Sequence, residues 1–447
     1  MRYIKTMLLF ALLFIILSFS SCANRQPAEE PAPPVIEAEE PSDTVQEPEP
    51  EPEPEIEPEP FPGKIAIITI APPGHFAYYT AIPIIDKYGE DKIIHVTWPE
   101  NFMAEQEKMI DIVANLSTDP DVKAVIVNPA VTGTIAAFEN FCETRNDVFV
   151  IYCKPEFHDP KAILSIANTA DLVLMTDIFN VGFAMVEQAK RMGAETLVHY
   201  SNEYHAKSAQ PGSMFFERRE LIKKTCDELD IKFVEATHPE TQANHTEIEN
   251  LINVSIPQMV EKHGRNTAFF PASTAYLFTI VRAVIKVGAI CPQAGDPAFF
   301  WGTSTYTNYL PDSPFFKGFK GLYYEDVMKL PYSTYSEQLM ENAREYLAPY
   351  DMLGRLSAWP VEDDFMYTIA AAEYAVKWIN GEVPKEGVDV DVLKQLMEDF
   401  AGVDVYLTPY TDVQPYTQPY IEGRAREGTG ETYDNFLMMT MDYITFE

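Results

Sequence analysis

The chain has 447 residues and a formal net charge of −35, from 33 basic and 68 acidic side chains. This length exceeds the usual size of one domain and predicts two lobes. Nucleic-acid binding needs basic patches that meet phosphates, so the acidic balance argues against it. The negative charge fits either a cationic ligand or simply a soluble surface.

The N-terminus has the pattern of a secretory signal. Arg2 and Lys5 precede an apolar run, Met7–Phe19, which is shorter than the roughly 20 residues that a membrane-spanning helix needs. Small residues and then Cys22 follow, and the segment resembles the signal of a bacterial lipoprotein. The resemblance implies a signal peptide over residues 1–21 and a lipid on Cys22. An ordinary signal peptide with an incidental cysteine is the alternative.

Residues 22–62 are predicted to form a disordered tether that begins at the lipidated cysteine. Residues 26–62 contain no Lys or Arg, and they end in alternating Glu and Pro from Glu47 to Pro60. Proline favours extended backbone and like charges repel, which predicts a stiff, solvated polyproline-like segment. It is either a spacer that holds a soluble body away from a membrane or an inert leader. Together with the signal, it predicts a protein of the cell envelope that is lipid-anchored to a membrane and faces the periplasm or the exterior.

Four cysteines follow the tether: Cys142, Cys153, Cys226 and Cys291. No Cys-x-x-Cys spacing occurs among them, so no structural zinc site is predicted. An oxidising envelope permits a disulfide, and burial as small apolar side chains is equally open.

From residue 63 onwards, short apolar runs alternate with helical stretches. The alternation predicts strands at 64–70, 93–98, 124–128, 148–153 and 172–175, with helices at 76–88, 101–116 and 133–144. Continuous apolar strands separated by amphipathic helices are typical of a parallel sheet covered on both faces. Residues 63–178 are therefore predicted to be one doubly wound α/β lobe.

The alternation restarts near Asp177 and predicts a second α/β lobe over residues 179–302. Its strands are expected at 196–200, 232–236 and 267–270, and its helices at 181–192, 213–229, 246–263 and 273–287. Residues 303–447 are predicted to form a crossover from the second lobe, with a helix at 364–379 that packs on the first lobe. Pro-Tyr pairs at 409–410, 415–416 and 419–420 predict an extended strap that packs tyrosines on the body, or a surface that docks a partner.

Three segments resemble type I periplasmic solute-binding proteins. They are Lys64–Thr69 at the first strand, Ala124–Pro129 at the third strand, and the restart after Asp177. In detail the chain is similar to an uncharacterised family of bacterial lipoproteins with that fold, over nearly all of residues 63–447. The resemblance implies two doubly wound Rossmann-like lobes with parallel sheets, joined by a hinge. It also implies a small-molecule solute held between the lobes and an ABC permease as a partner.

In open α/β sheets, ligands bind beyond the carboxyl ends of the strands, where loops and helix N-termini converge. The segments that follow the strands combine aromatic faces with short polar groups, which suits a sugar, a nucleoside or another small ringed compound. The candidate ligand-binding residues are His75, Phe76, Asn128, Ala130, Thr132, Lys154, Glu156 and Asp177 in the first lobe, Asn202, Tyr204, His238 and Ser273 in the second, and Thr303 and Tyr306 at a later crossing.

Several of these candidates have structural alternatives. His75 or His238 could cap a helix or satisfy a backbone group. Asp177 could bind a ligand or only brace the hinge. Lys154 could simply pair with Glu156.

No sequence motif of an enzyme occurs. A serine-hydrolase elbow, a phosphate-binding loop, a zinc helix and a dinucleotide-binding glycine turn are all missing, so no catalytic residue, metal or cofactor is predicted. Asp363 and Asp364 open a helix, where acids complement the dipole, and a structural role is favoured for them. The sequence thus predicts a receptor that delivers a solute to an ABC-type importer. A sensory or docking lipoprotein of the same fold, and less favourably an envelope hydrolase, stay open.

Overall fold

The computed structural model describes residues 61–70, 76–155, 162–208, 214–239, 245–272, 276–294, 332–411 and 431–447. Residues 57–447 form one unit. The predicted signal peptide and Cys22 lie outside the described residues, as does the tether up to residue 60. In the described part of the chain, no helix has both the length and the apolar composition needed to cross a membrane.

The first lobe is built on a seven-stranded sheet. Its strands, numbered along the chain, are β1 (Lys64–Thr69), β2 (Ile93–Thr97), β3 (Val122–Asn128), β4 (Phe149–Cys153), β5 (Leu172–Thr176), β10 (Val405–Thr411) and β11 (Thr432–Met441). The first five are parallel, in the order β2-β1-β3-β4-β5. Strand β11 adds in parallel to β5, and β10 pairs antiparallel with β11 at the edge.

Helices cover both faces of this sheet, which is why its strands are apolar throughout. They are α1 (Ile82–Tyr88), α2 (Gln106–Ser117), α3 (Thr134–Thr144), α4 (Ala162–Thr169), α11 (Asp363–Asn380) and α12 (Val390–Ala401). Ile67 and Leu174 belong to the core on the face of α1, α11 and α12. Ile68 and Val173 belong to the core on the face of α2, α3 and α4. Side chains thus alternate between two separate cores.

The single helix expected over residues 76–88 is divided in the structure. A 3-10 helix, Phe76–Ala81, precedes α1. Pro83 lies in the first turn of α1, where its missing N–H would have no helical partner in any case. The proline therefore sets the start of the α-helix.

The second lobe has a three-stranded parallel sheet in the order β7-β6-β8. Its strands are β6 (Thr196–Asn202), β7 (Lys232–His238) and β8 (Thr267–Pro271), and its helices are α5 (Ile178–Arg191), α6 (Glu203–Ser208), α7 (Met214–Glu228), α8 (His245–His263), α9 (Leu277–Val287) and α10 (Tyr332–Leu347). Helices α5 and α7 share a core with one face of the sheet. Helices α8, α9 and α10 share a core with the other.

The chain passes between the lobes three times. The first passage follows β5 into α5, where Val181 packs in the first lobe and Met185 in the second. The second lies between Ala358 and Trp359, and the third follows Met441 at the end of β11. A short antiparallel pair, β9 (Ser357–Ala358) with β12 (Ile444–Thr445), joins the last two. The fold class is therefore two doubly wound lobes joined by a three-segment hinge.

At the first of the three Pro-Tyr pairs, the expected extended segment is a strand of the first sheet. Pro409 and Tyr410 lie in β10, where Tyr410 is 2% exposed and stacks on Phe436 with ring centroids 5.2 Å apart. The run is strand-forming because its partner β11 offers a matching apolar face. The other two pairs lie outside the described residues.

The four cysteines after the tether are free thiols. Cys153, Cys226 and Cys291 are buried and Cys142 is half-buried. Burial raises the pKa of Cys142 to about 11, and that of Cys226 and Cys291 to about 12. They serve as small apolar side chains, because thiols of such high pKa carry almost no reactive thiolate.

His95 on β2 is held neutral by its surroundings. Its Nε2 lies 3.0 Å from the hydroxyl of Thr69, at the end of β1, and the ring of Tyr78 lies 4.8 Å away between centroids. Burial lowers the pKa of His95 to about 4. The imidazole is therefore uncharged at neutral pH.

We expect His95 to make the fold sensitive to acid. Between the folded pKa of about 4 and the usual 6.5, the unfolded chain binds a proton that the folded chain excludes. The free energy of unfolding therefore decreases as the pH falls through this window, by about 3 kcal/mol for this group. His95→Gln cannot titrate and should lack this component. Urea unfolding of both proteins near pH 7.5 and pH 4.5 measures it, and an unchanged difference between them at the two pH values would contradict the assignment.

Candidate functional site

Three strands of the first sheet end against the first turn of α11. Asn128 is the last residue of β3, Lys154 follows β4, and Thr176 ends β5. Because carboxyl ends of parallel strands share one edge, residues far apart in sequence meet here. The backbone of Lys154 fixes its position: φ is 47°, and its N–H donates to the Leu174 carbonyl at 2.8 Å.

The carboxylate of Asp363 is the most enclosed charge of this group. Its side chain is 1% exposed, and Lys154 Nζ lies 3.0 Å from its Oδ1. The Thr176 hydroxyl donates to its Oδ2 at 2.6 Å and also lies 2.9 Å from the Tyr367 hydroxyl. Lys154 Nζ bridges to Asp364 Oδ2 at 3.1 Å. One ammonium therefore serves two adjacent carboxylates.

Asn128 fastens β3 to the same turn. Its amide nitrogen donates to the Asp364 carbonyl at 2.8 Å and to the Thr368 hydroxyl at 2.7 Å. Asn128 is 0% exposed. Among the described residues, Asn128 Oδ1 and Asp364 Oδ1 are buried atoms without a hydrogen-bond partner. Two acceptors at this turn thus have no partner among the residues that the structure describes.

Burial and charge act in opposite directions on this cluster. Burial would lower the pKa of Lys154, but Asp363 and Asp364 outweigh it and raise that pKa above its ordinary value. Burial, with the neighbouring Asp363 and Asp364, raises the pKa of Glu362 well above its usual range. Burial likewise raises the pKa of Asp364, against the lowering effect of Lys154. Lys154 therefore stays charged, whereas the raised pKa values of Glu362 and Asp364 favour the neutral forms of these two acids more than in water.

The three consecutive acids have the spacing of a cation site. Their ligand atoms lie within 4.8 Å of one another, and the group of Glu362, Asp363 and Asp364 is the one that meets this criterion within the described residues. However, Lys154 Nζ already contacts two of the carboxylates. The protein thus supplies its own cation, and the donor set does not favour a metal ion.

This turn also lies at the boundary between the lobes. Phe365 packs in the core that lines the second sheet, while the next residue, Met366, packs in the core of the first. The Asp177 N–H donates to the Met439 carbonyl at 2.8 Å, which ties the first passage between the lobes to the third. The cluster therefore sits at the boundary between the two lobes.

The carboxyl edge of the second sheet carries an aromatic group. His238 is 0% exposed, and its ring lies 6.0 Å from that of Tyr200 and 5.3 Å from that of Tyr276 between centroids. Its Nδ1 lies 2.8 Å from the Pro239 carbonyl. Ser201 and Asn202 at the end of β6 are also buried. Aromatic rings and a few polar groups are thus packed together inside the second lobe at this edge.

The structure brings together only part of the predicted site. Asn128 and Lys154 meet at the first turn of α11, Ala130 is buried and its N–H donates to the Cys153 carbonyl, and Thr132 is half-buried. Asn202 and His238 lie on the second edge. The remaining candidates lie outside what the structure describes: His75, Glu156, Ser273, Thr303 and Tyr306 entirely, and Phe76 and Tyr204 in their side chains.

Asp177 lies where it can support the hinge, which is one of the two roles considered for it. Its carboxylate accepts from the backbone N–H groups of Phe179 and Asn180 at 3.2 and 3.0 Å, and from the Asn180 side chain at 2.9 Å. It is 1% exposed and caps α5 at the first passage between the lobes. This use of its oxygens fits a support of the hinge.

The sequence did not indicate the partners of Lys154. The pairing considered for it was Glu156, whereas the structure pairs it with Asp363 and Asp364, 209 and 210 residues away. Thr176, Tyr367 and Thr368 also belong to the cluster. The available signal was a pair of acids opening an apolar helix, which by itself indicates only dipole complementarity.

Two lobes with parallel sheets, three passages between them and a polar edge at the boundary define a protein of the type I periplasmic-binding-protein-like fold. The chain belongs to the family described as "Protein of unknown function (DUF3798)", whose sequence model matches residues 64–307, more than half of the chain. It is 30% identical to an uncharacterised protein of Treponema pallidum (strain Nichols) over 177 residues, which are 39% of this chain and 78% of that protein.

The chain is also similar to solved structures. A protein provisionally described as a transcriptional regulator, from Clostridium difficile 630, has a TM-score of 0.66 at 19% identity, over 87% of this chain and 100% of that one. This likeness shows the fold. An ABC transporter periplasmic solute-binding protein from Actinobacillus succinogenes 130z, with bound D-allose, has a TM-score of 0.39 at 18% identity, over 73% of this chain and 95% of that one.

We expect Lys154→Met to lower the free energy of unfolding by about 3 kcal/mol, because it leaves buried Asp363 without its counter-charge. The double variant Lys154→Met/Asp363→Asn should recover part of this loss, since the uncompensated charge is gone. Lys224→Met is a matched control: its ion pair with Glu228 spans 3.9 Å between half-exposed side chains and should be worth less than about 1 kcal/mol. Urea unfolding of the four proteins measures these values. Equal costs at positions 154 and 224 would show that the cluster does not hold the fold.

Proposed function

We propose that the protein is an extracytoplasmic solute-binding protein that captures a small organic ligand between its two lobes. The observation that carries the proposal is the polar turn at the start of α11, which joins three strand ends at the lobe boundary. Ligand sites of open α/β sheets lie at such edges, and a ligand that prefers the closed lobes stabilises that state.

The composition of the two edges supports a small neutral or weakly polar ligand. The first edge contributes the partly exposed side chains of Lys154 and Asp364, and the second contributes the half-buried ring of Tyr276, which packs on buried His238. Such a combination of few polar groups and flat apolar surface is typical of small-molecule sites. The Clostridium difficile protein named above is described as a transcriptional regulator, which agrees with a role in binding.

We further propose that the protein is held at a membrane by a lipid on Cys22 and delivers its ligand to an ABC-type importer. The signal-like N-terminus and the acidic Pro-rich tether support the anchor. The fold class supports a receptor that presents a closed, loaded form to a permease. The same fold without a transport partner would be a sensory or docking lipoprotein.

Ligand binding should raise the thermal stability of the full-length chain. The protein is purified in detergent, freed of bound solute by partial unfolding and refolding, and heated with sugars, nucleosides, amino acids, polyamines or vitamins. A ligand at 100 times its dissociation constant adds roughly 2.7 kcal/mol, which moves the unfolding midpoint by several degrees. One chemically coherent cluster of hits is expected. No shift with any compound, on protein shown to be folded, would favour the docking lipoprotein.

Cys22→Ala should abolish lipidation and release the protein from membranes. Cells given radiolabelled palmitate are expected to label the wild-type chain and the matched Cys142→Ala variant but not Cys22→Ala. The Cys142 control is apt because its thiol is half-buried within the folded body. Label on Cys22→Ala, or an unchanged membrane fraction, would refute the anchor.

A further inference from the structure

Two aromatic side chains of the first lobe are buried against the second lobe. Tyr79 lies in the 3-10 helix after β1 and is 0% exposed, and Phe365 lies in the first turn of α11 and is 2% exposed. Both belong to the core that contains Val198 and Tyr200 of β6. Among the described residues, neither ring belongs to the two cores of the first sheet. The burial of these rings therefore depends on the second lobe.

Helical spacing places a further apolar side chain beside each ring. Ile82, directly after the 3-10 helix, follows Tyr79 by three residues, which is the repeat of a 3-10 helix. Ile369 follows Phe365 by four residues, which places both on one side of α11. Ile82 and Ile369 are half-buried and pack against the same core as the two rings, and Ile369 also packs against the core of the first lobe. Two separate helical segments thus direct apolar side chains at the second lobe.

The contact made by Tyr79 lies away from the hinge. Tyr78, the preceding residue, packs its ring 4.8 Å from that of His95 in β2, which is an edge strand of the first sheet. Strands β1, β3 and β4 separate β2 from β5, after which the chain first passes to the second lobe. Neighbouring strands lie about 4.8 Å apart, so β2 and β5 are about 19 Å apart across the sheet. A rotation of the lobes about the hinge therefore displaces Tyr79 more than it displaces the hinge segments themselves.

Separation of the lobes at this contact would transfer the rings of Tyr79 and Phe365 from a core to water. Aromatic side chains carry a large apolar area, and burial of apolar surface is favoured roughly in proportion to its area. Every residue of the contact belongs to this chain, so the gain on burial needs no bound solute. The contact therefore favours joined lobes in the ligand-free protein.

We propose that Tyr79, Ile82, Phe365 and Ile369 form an apolar latch that holds the two lobes together without a ligand. The inference goes beyond the proposed function, because the latch needs no solute and would act in the same way in a docking lipoprotein. In a solute receptor, the latch reduces the differential affinity that a ligand must supply to populate the state with joined lobes.

Distances between the lobes of the ligand-free protein test the latch. Full-length protein in detergent, freed of bound solute, carries spin-labelled keto amino acids at two exposed positions, either Asp391 of α12 with Lys223 of α7, or Asp391 with Gln258 of α8. These labels leave the native cysteines unmodified. Pulsed electron paramagnetic resonance should give one narrow distance distribution for each pair in the wild-type protein. Phe365→Ala and Tyr79→Ala should each raise the separated state about tenfold or more, to a visible second population, because truncation of a buried ring removes most of its apolar contact.

Further variants distinguish the latch from a general loosening of the fold. Phe138→Ala removes a 0%-exposed ring from the first-lobe core on the face of α2, α3 and α4, and should lower stability without changing either distance distribution. Phe365→Leu keeps an apolar side chain and should retain most of the wild-type distribution. If Phe365→Ala or Tyr79→Ala does not fold, Ile82→Ala and Ile369→Ala remove less apolar area from half-buried members of the latch and test the same contact.

Each contrary outcome would overturn the latch. Wild-type distances that already spread over two populations would show that the lobes are not held together. Wild-type distributions in folded latch variants would show that the contact does not join the lobes. A second population of equal size in Phe138→Ala would show that loss of any core ring loosens the lobes. None of these results bears on solute binding, which the thermal screen decides independently.

Discussion

The junction of the two lobes depends on the burial of one carboxylate. Asp363 is 1% exposed, and a buried charge costs several kcal/mol unless it is paired and hydrogen-bonded. Lys154 and Thr176 meet this requirement from the ends of two neighbouring strands. The first turn of α11 is therefore fixed against the carboxyl edge of the first sheet, at the point where the chain has just returned from the second lobe.

The same interaction explains why an acid-rich turn is not a metal site. Three carboxyl groups within 4.8 Å would suit a divalent ion, but an ammonium from β4 already contacts two of them. The pKa of Lys154 is raised by those acids, so the counter-charge persists at neutral pH. Lys154 offsets one of the two negative charges of Asp363 and Asp364, so the protein's own cation occupies contacts that a metal ion would need.

Hydrogen bonds connect the hinge segments at the same carboxyl edge of the first sheet. Thr176 reaches Asp363 and the Asp177 N–H reaches Met439, so the three passages between the lobes are linked next to the cluster. Phe365 and Met366, adjacent in sequence, pack in different lobes. Any contact that a solute makes with Asp364 is thus one residue from the second lobe's core.

The local sequence pattern predicted most of the strands and several of the helices of this protein. Apolar runs between helical stretches indicated β1 to β8 and α11 close to their observed bounds, because strand and helix periodicities are properties of neighbouring residues. It also indicated Asn128, Lys154 and Asp177 as strand-end residues. It did not indicate β10 or β11, of which β11 pairs with β5 across more than 200 residues of sequence, nor the partners of Lys154. Only the tertiary structure decided the pairing of these strands and the partners of Lys154. The free energy of burying Asp363 or an edge strand depends on groups that only the folded chain brings within bonding distance.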